Sequence, residues 1–402
     1  MKILILSQYF PPDVTAAAYR ISETARILKE RGHDVVVITS TPHKGGQETL
    51  DESAFSKEDV VRVPVQPLSG QGVKAYLSQY LGFAFKALWE ALRLRKHFSY
   101  DVVWVSSPPL FVVVTSLCLQ VLARRPTILD IRDIWPETAV GVGKVRRGSL
   151  TEKIGKVLET LAYRHSRALT CVSKPMKEYI GKHTERKVDV VYNGVMMEHT
   201  GSFASILSTS LDHPQRLVFC YSGNLGYCQG LESVVAAFAA ALHDPVMVGS
   251  RLDIVGTGVL EDTLRQQVDR LGIADSVQFY GVKPKTEAMA IMARSNVLLI
   301  PLVDSDAFEM TVPSKVFDCM SIGQPIIGGL RGEGAEILAE SGANIVVPPE
   351  NVEALSDAFV KMCKEWDERA GRAVENVRIV RDRYTRKISV DVLEAALAAV
   401  TE

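Results

Sequence analysis

Residues 1–40, MKILILSQYFPPDVTAAAYRISETARILKERGHDVVVITS, hold the pattern that decides the fold. KILILSQ and DVVVITS are near-continuous apolar runs rich in Ile and Val, and AAAYRISETARILKER between them is amphipathic at helical spacing and ended by Gly32. Strands that show no polar alternation are buried on both faces, as in a parallel sheet covered by helices, so the stretch predicts a β-α-β unit.

The rhythm continues outward. VVRVPV, a helix over 73–97, DVVWVSS, a helix over 110–123, PTILDIRD, a helix over 150–166, ALTCVS, a helix over 174–182 and VDVVYNG complete a first half. Residues 196–216, MMEHTGSFASILSTSLDHPQR, break the pattern and read as a linker. It restarts with RLVFCYSG, helix 230–242, SRLDIVGTG, helix 260–271, VQFYGV, helix 285–293, NVLLIPL, helix 315–322, PIIGG and NIVVPP, and the tail 352–400 is helical. The predicted class is α/β, with two Rossmann-like doubly wound domains facing each other across a cleft. The domains span 1–195 and 217–380, joined by the 196–216 linker, and a C-terminal helix at 381–402 is expected to pack back toward the N-terminal domain. Ligands of such sheets bind at the carboxyl ends of the strands, which makes each strand-to-helix loop a candidate site.

A chain of 402 residues, 47% hydrophobic and 23% charged, is long enough for two or three domains. Its six cysteines form no CxxC pair and read as buried thiols rather than as metal ligands or disulfides. The opening apolar run reaches only five residues before Ser7, too short for a signal peptide. The longest apolar stretch, LFVVVTSLCLQVLA, has 14 residues, whereas a spanning helix needs about 20. The net charge of −1 conceals an asymmetry. Residues 1–200 carry 28 Lys and Arg against 20 Asp and Glu, leaving 18 and 27 of the totals for residues 201–402. A basic half suits an anionic surface: membrane, nucleic acid or phosphorylated substrate.

Several loops carry chemistry. CYSGNLGYCQGLESVV sets Ser222, Gly223, Asn224 and Gln229 between a strand and a helix, where amide donors and a helix dipole can surround an anion. DIVGTGVLE offers Gly256 and Gly258, a turn tight enough to approach a phosphate or base, and equally a plain structural turn. PLVDSDAFEMTVPSKVFDCM supplies Asp304, Asp306, Glu309, Ser314, Lys315 and Asp318. Lys315 in the first helical turn can neutralise a diphosphate, and Asp318 can accept hydrogen bonds from sugar hydroxyls; both also fit a solvated helix face. The DSD triplet is too short to define a metal site, and no metal is expected. LDIRDIWPETA gathers Arg132, Asp133 and Trp135 at a strand end, as a polar site or as a loop steadied by its own Arg–Asp pair. Helix 73–97 places Phe85 and Trp89 at the edge of its apolar stripe beside Arg93 and Lys96. Together with GKVRRGSLTEKIGK this suits a membrane interface; a helix with a wide core face is the alternative. No nucleophile–His set stands out.

In their order, MKILILSQYFPPD, ARILKERGHDVVVIT, RDIWPETA, VYNGV, YSGNLGYCQGLESVV and VPSKVFDCMSIGQPII resemble the bacterial retaining glycosyltransferases of family 4, of GT-B fold, over nearly the whole chain. RDIWP, GNLGYCQGL and PSKVFD are most similar to the branch that builds O-antigen, capsule or colanic acid, L-fucosamine-type transferases included. The resemblance implies a nucleotide-sugar donor, UDP-linked by family default, and an undecaprenyl-diphosphate-linked saccharide acceptor. It implies an enzyme peripheral on the cytoplasmic face of the inner membrane through its basic N-terminal domain, with no nucleic-acid partner and no cofactor. The donor contacts it implies are Ser222, Gly223, Asn224, Gln229, Gly256, Gly258, Tyr280, Gly281, Val282, Thr311, Pro313, Ser314, Lys315 and Asp318. Lys315, Glu309, Asp133 and Arg132 are implied for catalysis, and Ala17, Arg20 and Trp135 for the acceptor side.

The chain departs from the family in places. The diphosphate-binding Arg and Lys fall on Asn224 and Gln229, which shifts phosphate neutralisation onto Lys315. The second acid of the family's E-x7-E pair aligns with Asp318, but the first falls on Met310, one residue from Glu309. The Gly-rich loop is TAAAYR here. The chemistry implied is front-face transfer with retention, in which the leaving diphosphate takes the acceptor proton and the protein stabilises charge and holds the partners. A nucleotide-sugar 2-epimerase of the same fold, a transferase with a soluble acceptor and a non-catalytic partner subunit are the alternatives.

Overall fold

The computed structural model describes residues 1–13, 15–42, 55–65, 73–109, 111–141, 143, 145–197 and 216–402; most of the expected linker, Leu110 and Lys144 lie outside them. The chain divides into two compact units, Met1–Gly194 together with Arg386–Glu402, and Val195–Thr385.

The first unit is a wholly parallel seven-stranded sheet in the order β3-β2-β1-β4-β5-β6-β7. Its strands are β1 (Lys2–Leu6), β2 (Asp34–Ser40), β3 (Val60–Val63), β4 (Val102–Ser107), β5 (Thr127–Ile131), β6 (Ala168–Cys171) and β7 (Val188–Val190). Ile5 pairs with Val37 on one side and Trp104 on the other, all fully buried, which is why these strands show no polar alternation. The helices are α1 (Ala16–Glu30), α2 (Val73–Leu94), α3 (Val112–Leu122), α4 (Glu137–Gly141), α5 (Leu150–His165) and α6 (Lys174–Gly181). Side-chain oxygens of Thr15, Ser149 and Ser173 cap α1, α5 and α6 by accepting from Ala18, Glu152 and Met176 amides. The β1-to-β2 and β2-to-β3 connections run one way along the sheet, and those from β3 to β4 and onward to β7 run the other. Right-handed connection therefore puts α1 on one face and α2, α3 and α5 on the opposite one. On that face α3 packs between α2 and α5.

The second unit is a six-stranded parallel sheet, β10-β9-β8-β11-β12-β13. Its strands are β8 (Val218–Ser222), β9 (Arg251–Val255), β10 (Val277–Gly281), β11 (Val297–Pro301), β12 (Ile326–Gly329) and β13 (Ile345–Val347). Between them run α7 (Leu231–Ala241), α8 (Glu261–Arg270), α9 (Lys285–Arg294), α10 (Asp306–Glu309), α11 (Ser314–Ile322) and α12 (Glu333–Ala339). Phe219, Phe238 and Phe359 meet edge to face in its core, with centroids 4.9–6.1 Å apart. The strand order reverses between β8 and β11, the crevice where doubly wound sheets bind ligands.

Three helices were not legible. α4 is a five-residue helix within RDIWPETAVG, α10 is a single turn between NVLLIPL and helix 315–322, and α12 follows β12 through GEG, weak helix-forming sequence. The helical tail is four helices rather than one block: α13 (Val352–Lys364), α14 (Trp366–Arg372), α15 (Val374–Arg383) and α16 (Arg386–Thr401). Tyr384 stacks on Phe317 at 4.7 Å and Thr385 bridges to Val195 within the second unit. From Arg386 onward the chain belongs to the first unit, where α16 packs on α1 and Arg386 bonds Glu23 at 3.0 Å.

Candidate active site

In the second unit, the ends of β8, β9 and β10 converge because glycines let backbones touch. A Cβ on Gly256 would land on the carbonyl of Gly223, and one on Gly258 on that of Leu225. Backbone bonds lace the loops together: Gly223 N–H to Val255 O (2.9 Å), Leu225 N–H to Thr257 O (2.9 Å) and Gly256 N–H to Gly281 O (2.8 Å). Gly256 has a φ of +132° and Gly223 of +147°, conformations that favour glycine.

Lys315 spans the switch point. It lies in the first turn of α11, whose cap residue Pro313 offers no side-chain acceptor. Its ammonium reaches back to the end of β8, donating to the Tyr221 hydroxyl (2.5 Å) and to Gln229 Oε1 (2.6 Å), and lies 4.2 Å from the centre of the Tyr221 ring. A Cβ on Gly223 would meet Lys315 Cε at 2.5 Å and Nζ at 2.6 Å, so this glycine is what makes room for the cation. Tyr221 donates in turn to the Asn224 carbonyl (2.7 Å). Both groups holding the ammonium are neutral, and burial pulls the Lys315 pKa down to about 7, with Cys319, Asp318 and Cys228 pulling the other way. Burial likewise pushes the Tyr221 phenol and the Cys319 thiol far up. The site is a cation with no counter-ion in contact among the described residues, at a helix N-terminus.

The other expected donor residues line the same strand ends. Ser314 and Asp318 lie on α11, Thr311 bonds the Ala307 carbonyl, and Glu309 is exposed at the end of α10 with its backbone against Gly332. At the end of β10, Tyr280 donates to Asp253, Gly281 closes the turn and Val282 is exposed. Asn224 is exposed while Gln229 is bound to Lys315. Asp304 pairs with Arg331, and among the described residues no group of three or more His, Cys, Asp or Glu could hold a metal ion. Tyr221 escaped the sequence reading, because a tyrosine inside a strand looks like core; its position one residue before the Gly-rich loop was the available signal.

The remaining expected residues belong to the first unit. Arg20, expected on the acceptor side, is 2% exposed and engaged inside the unit. It holds Asp130 through both carboxylate oxygens (3.0 and 3.2 Å), Asn193 (2.6 Å) and the Val191 carbonyl (3.2 Å). Ala17 lies in the first turn of α1. Arg132 and Asp133 follow β5 without an ion pair between them: Asp133 accepts from the Thr138 hydroxyl, and Arg132 Nε is buried without a partner. Desolvation dominates both, lowering the Arg132 pKa and raising that of Asp133. Trp135 packs its ring over Gly155 of α5, where a Cβ would collide with it.

Residues 15–194 match the family described as Glycosyl transferase 4-like domain, and residues 216–365 the one described as Glycosyl transferases group 1. A probable glycosyltransferase of Pseudomonas aeruginosa, WbjE, is 22% identical over 330 residues, 80% of each chain. The putative colanic acid biosynthesis glycosyl transferase WcaI of Escherichia coli is 24% identical over 383 residues, 88% of this chain and 90% of that one. Among solved structures, Alr3699/HepE of Anabaena in complex with UDP and glucose superposes with a TM-score of 0.73 at 18% identity, covering 99% of this chain and 100% of the other. WaaG, a glycosyltransferase involved in lipopolysaccharide biosynthesis, does so with 0.70 at 15% identity, covering 99% of each. The two domain matches in sequence, on two parallel Rossmann-like sheets, make this chain a GT-B glycosyltransferase of family 4.

Proposed function

We propose that this enzyme transfers a sugar, with retention and without a metal, from a UDP-linked donor to an undecaprenyl-diphosphate-linked saccharide during synthesis of a bacterial surface polysaccharide. The observation that carries the reading is the Lys315 ammonium, held at the β8/β11 switch point, among the described residues, by a tyrosine hydroxyl and a glutamine carbonyl. A partly buried cation with neutral partners is unfavourable until an anion arrives, and a diphosphate supplies one. Lys315 and the first turn of α11 then stabilise the charge that develops as the bond from anomeric carbon to diphosphate breaks. The acceptor oxygen bonds to that carbon on the same face, and its proton passes to the leaving diphosphate. Asp318 accepts the ribose hydroxyls and Glu309 those of the transferred sugar. Arg132 and Asp133 serve catalysis, and Ala17 and Trp135 the acceptor. The surface-polysaccharide assignment draws on the relatives named for colanic acid and lipopolysaccharide synthesis, and the uridine on the neighbour bound to UDP.

The test is incubation with a panel of UDP-sugars and a short undecaprenyl-diphosphate saccharide, with the product's anomeric configuration read by NMR. A lipid-linked product of the donor's configuration is expected. Inversion overturns the retaining mechanism, and donor epimerised without acceptor overturns the transferase reading.

A further inference from the structure

α5 is built inside out. Glu152, Gly155, Glu159, Ala162 and Tyr163 form its buried face, whereas Leu150, Ile154, Val157 and Leu161 are 40–73% exposed. At about 100° per residue these four fall within an arc of roughly 60° on the solvent side. Four aligned aliphatic side chains facing water cost hydrophobic free energy that nothing within the unit recovers. α2 and α3, on the same face of the sheet, add exposed Phe85, Trp89, Val121 and Leu122.

One residue turn beyond Leu161, the same side of α5 carries Arg164. With Lys182, His183 and Arg186 it lines a hollow of about 710 Å³, whose other lining residues are Gly181, Thr184 and the lone acid Glu185. Arg164, Lys182, Arg186 and, beside the stripe, Lys153 are exposed and make no ion pair among the described residues. No helix of the described residues is long and apolar enough to cross a membrane.

We propose that the outer face of α5 docks on a bilayer carrying anionic headgroups, with the stripe entering the acyl boundary and the Arg164–Lys182–Arg186 hollow taking a lipid phosphate. Charge selects this occupant. A second copy of the chain would bring the same cations against themselves, whereas an anionic surface complements them. The inference deepens the lipid-linked acceptor reading and rests on it for preferring lipid to an acidic protein.

Co-sedimentation of the full chain with phosphatidylcholine vesicles, and with vesicles holding roughly 30% phosphatidylglycerol, tests it without turnover. Binding is expected to be stronger on the anionic vesicles. Ile154→Asp with Val157→Asp should weaken it at least tenfold on both. Arg164→Glu with Lys182→Glu should remove the anionic preference, by roughly fivefold or more per residue. All four positions are exposed, so unchanged thermal melts are expected and confirm folding. Wild-type protein that stays in the supernatant, a stripe variant that binds as well as wild type, or a dimer that the stripe variant dissociates overturns the proposal. Release by millimolar glycerol phosphate would assign the hollow to a soluble phosphate and overturn the lipid source. Thermal shift with UDP-glucose on the same preparations reports the donor reading separately.

Discussion

Replacing Lys315 with methionine keeps the length of the side chain and removes its charge. In the free protein the ammonium sits between neutral partners, and its pKa falls from 10.5 to about 7. At about 1.4 kcal/mol per tenfold change in proton affinity, the charged form is disfavoured by an amount on the order of 5 kcal/mol. The sign follows from proton counting. Between about pH 7 and 10.5 the unfolded chain holds this proton and the folded one does not, so wild-type stability rises with pH across that window. Lys315→Met should flatten that rise and be more stable than wild type at pH 6. A bound diphosphate reverses the situation by restoring the proton, so donor binding takes up as much as one proton above pH 7. Wild-type affinity should fall up to tenfold per pH unit between about pH 7.5 and 8.5, and Lys315→Met should bind weakly with no such slope. Calorimetry of UDP-glucose binding in buffers of different ionisation heat measures the proton uptake directly, and the variant's turnover should drop roughly 10²-fold or more. A pH-independent affinity together with turnover close to wild type would refute the assignment of Lys315 to the leaving diphosphate.

Asp318→Ala should raise the donor KM with little change in kcat, in steady-state kinetics with varied donor, because a ribose contact is made equally in ground and transition states. Gly223→Ala puts a methyl group onto the Lys315 ammonium at a φ of +147°, so it should lose donor binding in a titration and lower the melting temperature. Asp130→Asn leaves the Arg20 guanidinium buried without its counter-charge and should cost about 3–5 kcal/mol in urea unfolding. Glu159, whose carboxyl burial pushes up to about 7, keeps its proton in the folded state between about pH 4.5 and 7. Stability therefore falls as pH rises through that window, and Glu159→Gln should remove that decline in pH-dependent melts.

The sheets were legible because parallel strands buried on both faces must be continuous in Val, Ile and Leu, and helix boundaries fell within one to three residues for most elements. What lay beyond the sequence was pairing at long range. Lys315 meets Tyr221 across 94 residues and Arg20 meets Asp130 across 110. No local periodicity announces such partners, so Lys315 was recognisable as a cation of the site but not as one held by a tyrosine hydroxyl and a glutamine carbonyl. Arg20, expected to face a ligand, turned out to be an internal strut for the same reason.

α5 shows a second limit, and a link between two parts of the chain. Its period marks an apolar stripe, and a stripe is ordinarily the core face. Which side turns inward is decided by what the neighbouring layer can accept. Here Trp135, at the end of the β5 loop, occupies the space over Gly155, and only a position without a side chain can sit beneath that ring. Gly155 is about 130° round the helix from the centre of the stripe. Seating it under the tryptophan turns Ile154 and Val157 toward solvent, while Glu159 is drawn into the core against Tyr163 at 2.8 Å. The RDIWP motif thus has a structural consequence away from any ligand: it sets the rotation of α5, and with it the exposure of the apolar face. Gly155→Val should therefore disturb both the β5 loop and vesicle binding, whereas a change confined to the stripe should disturb vesicle binding alone.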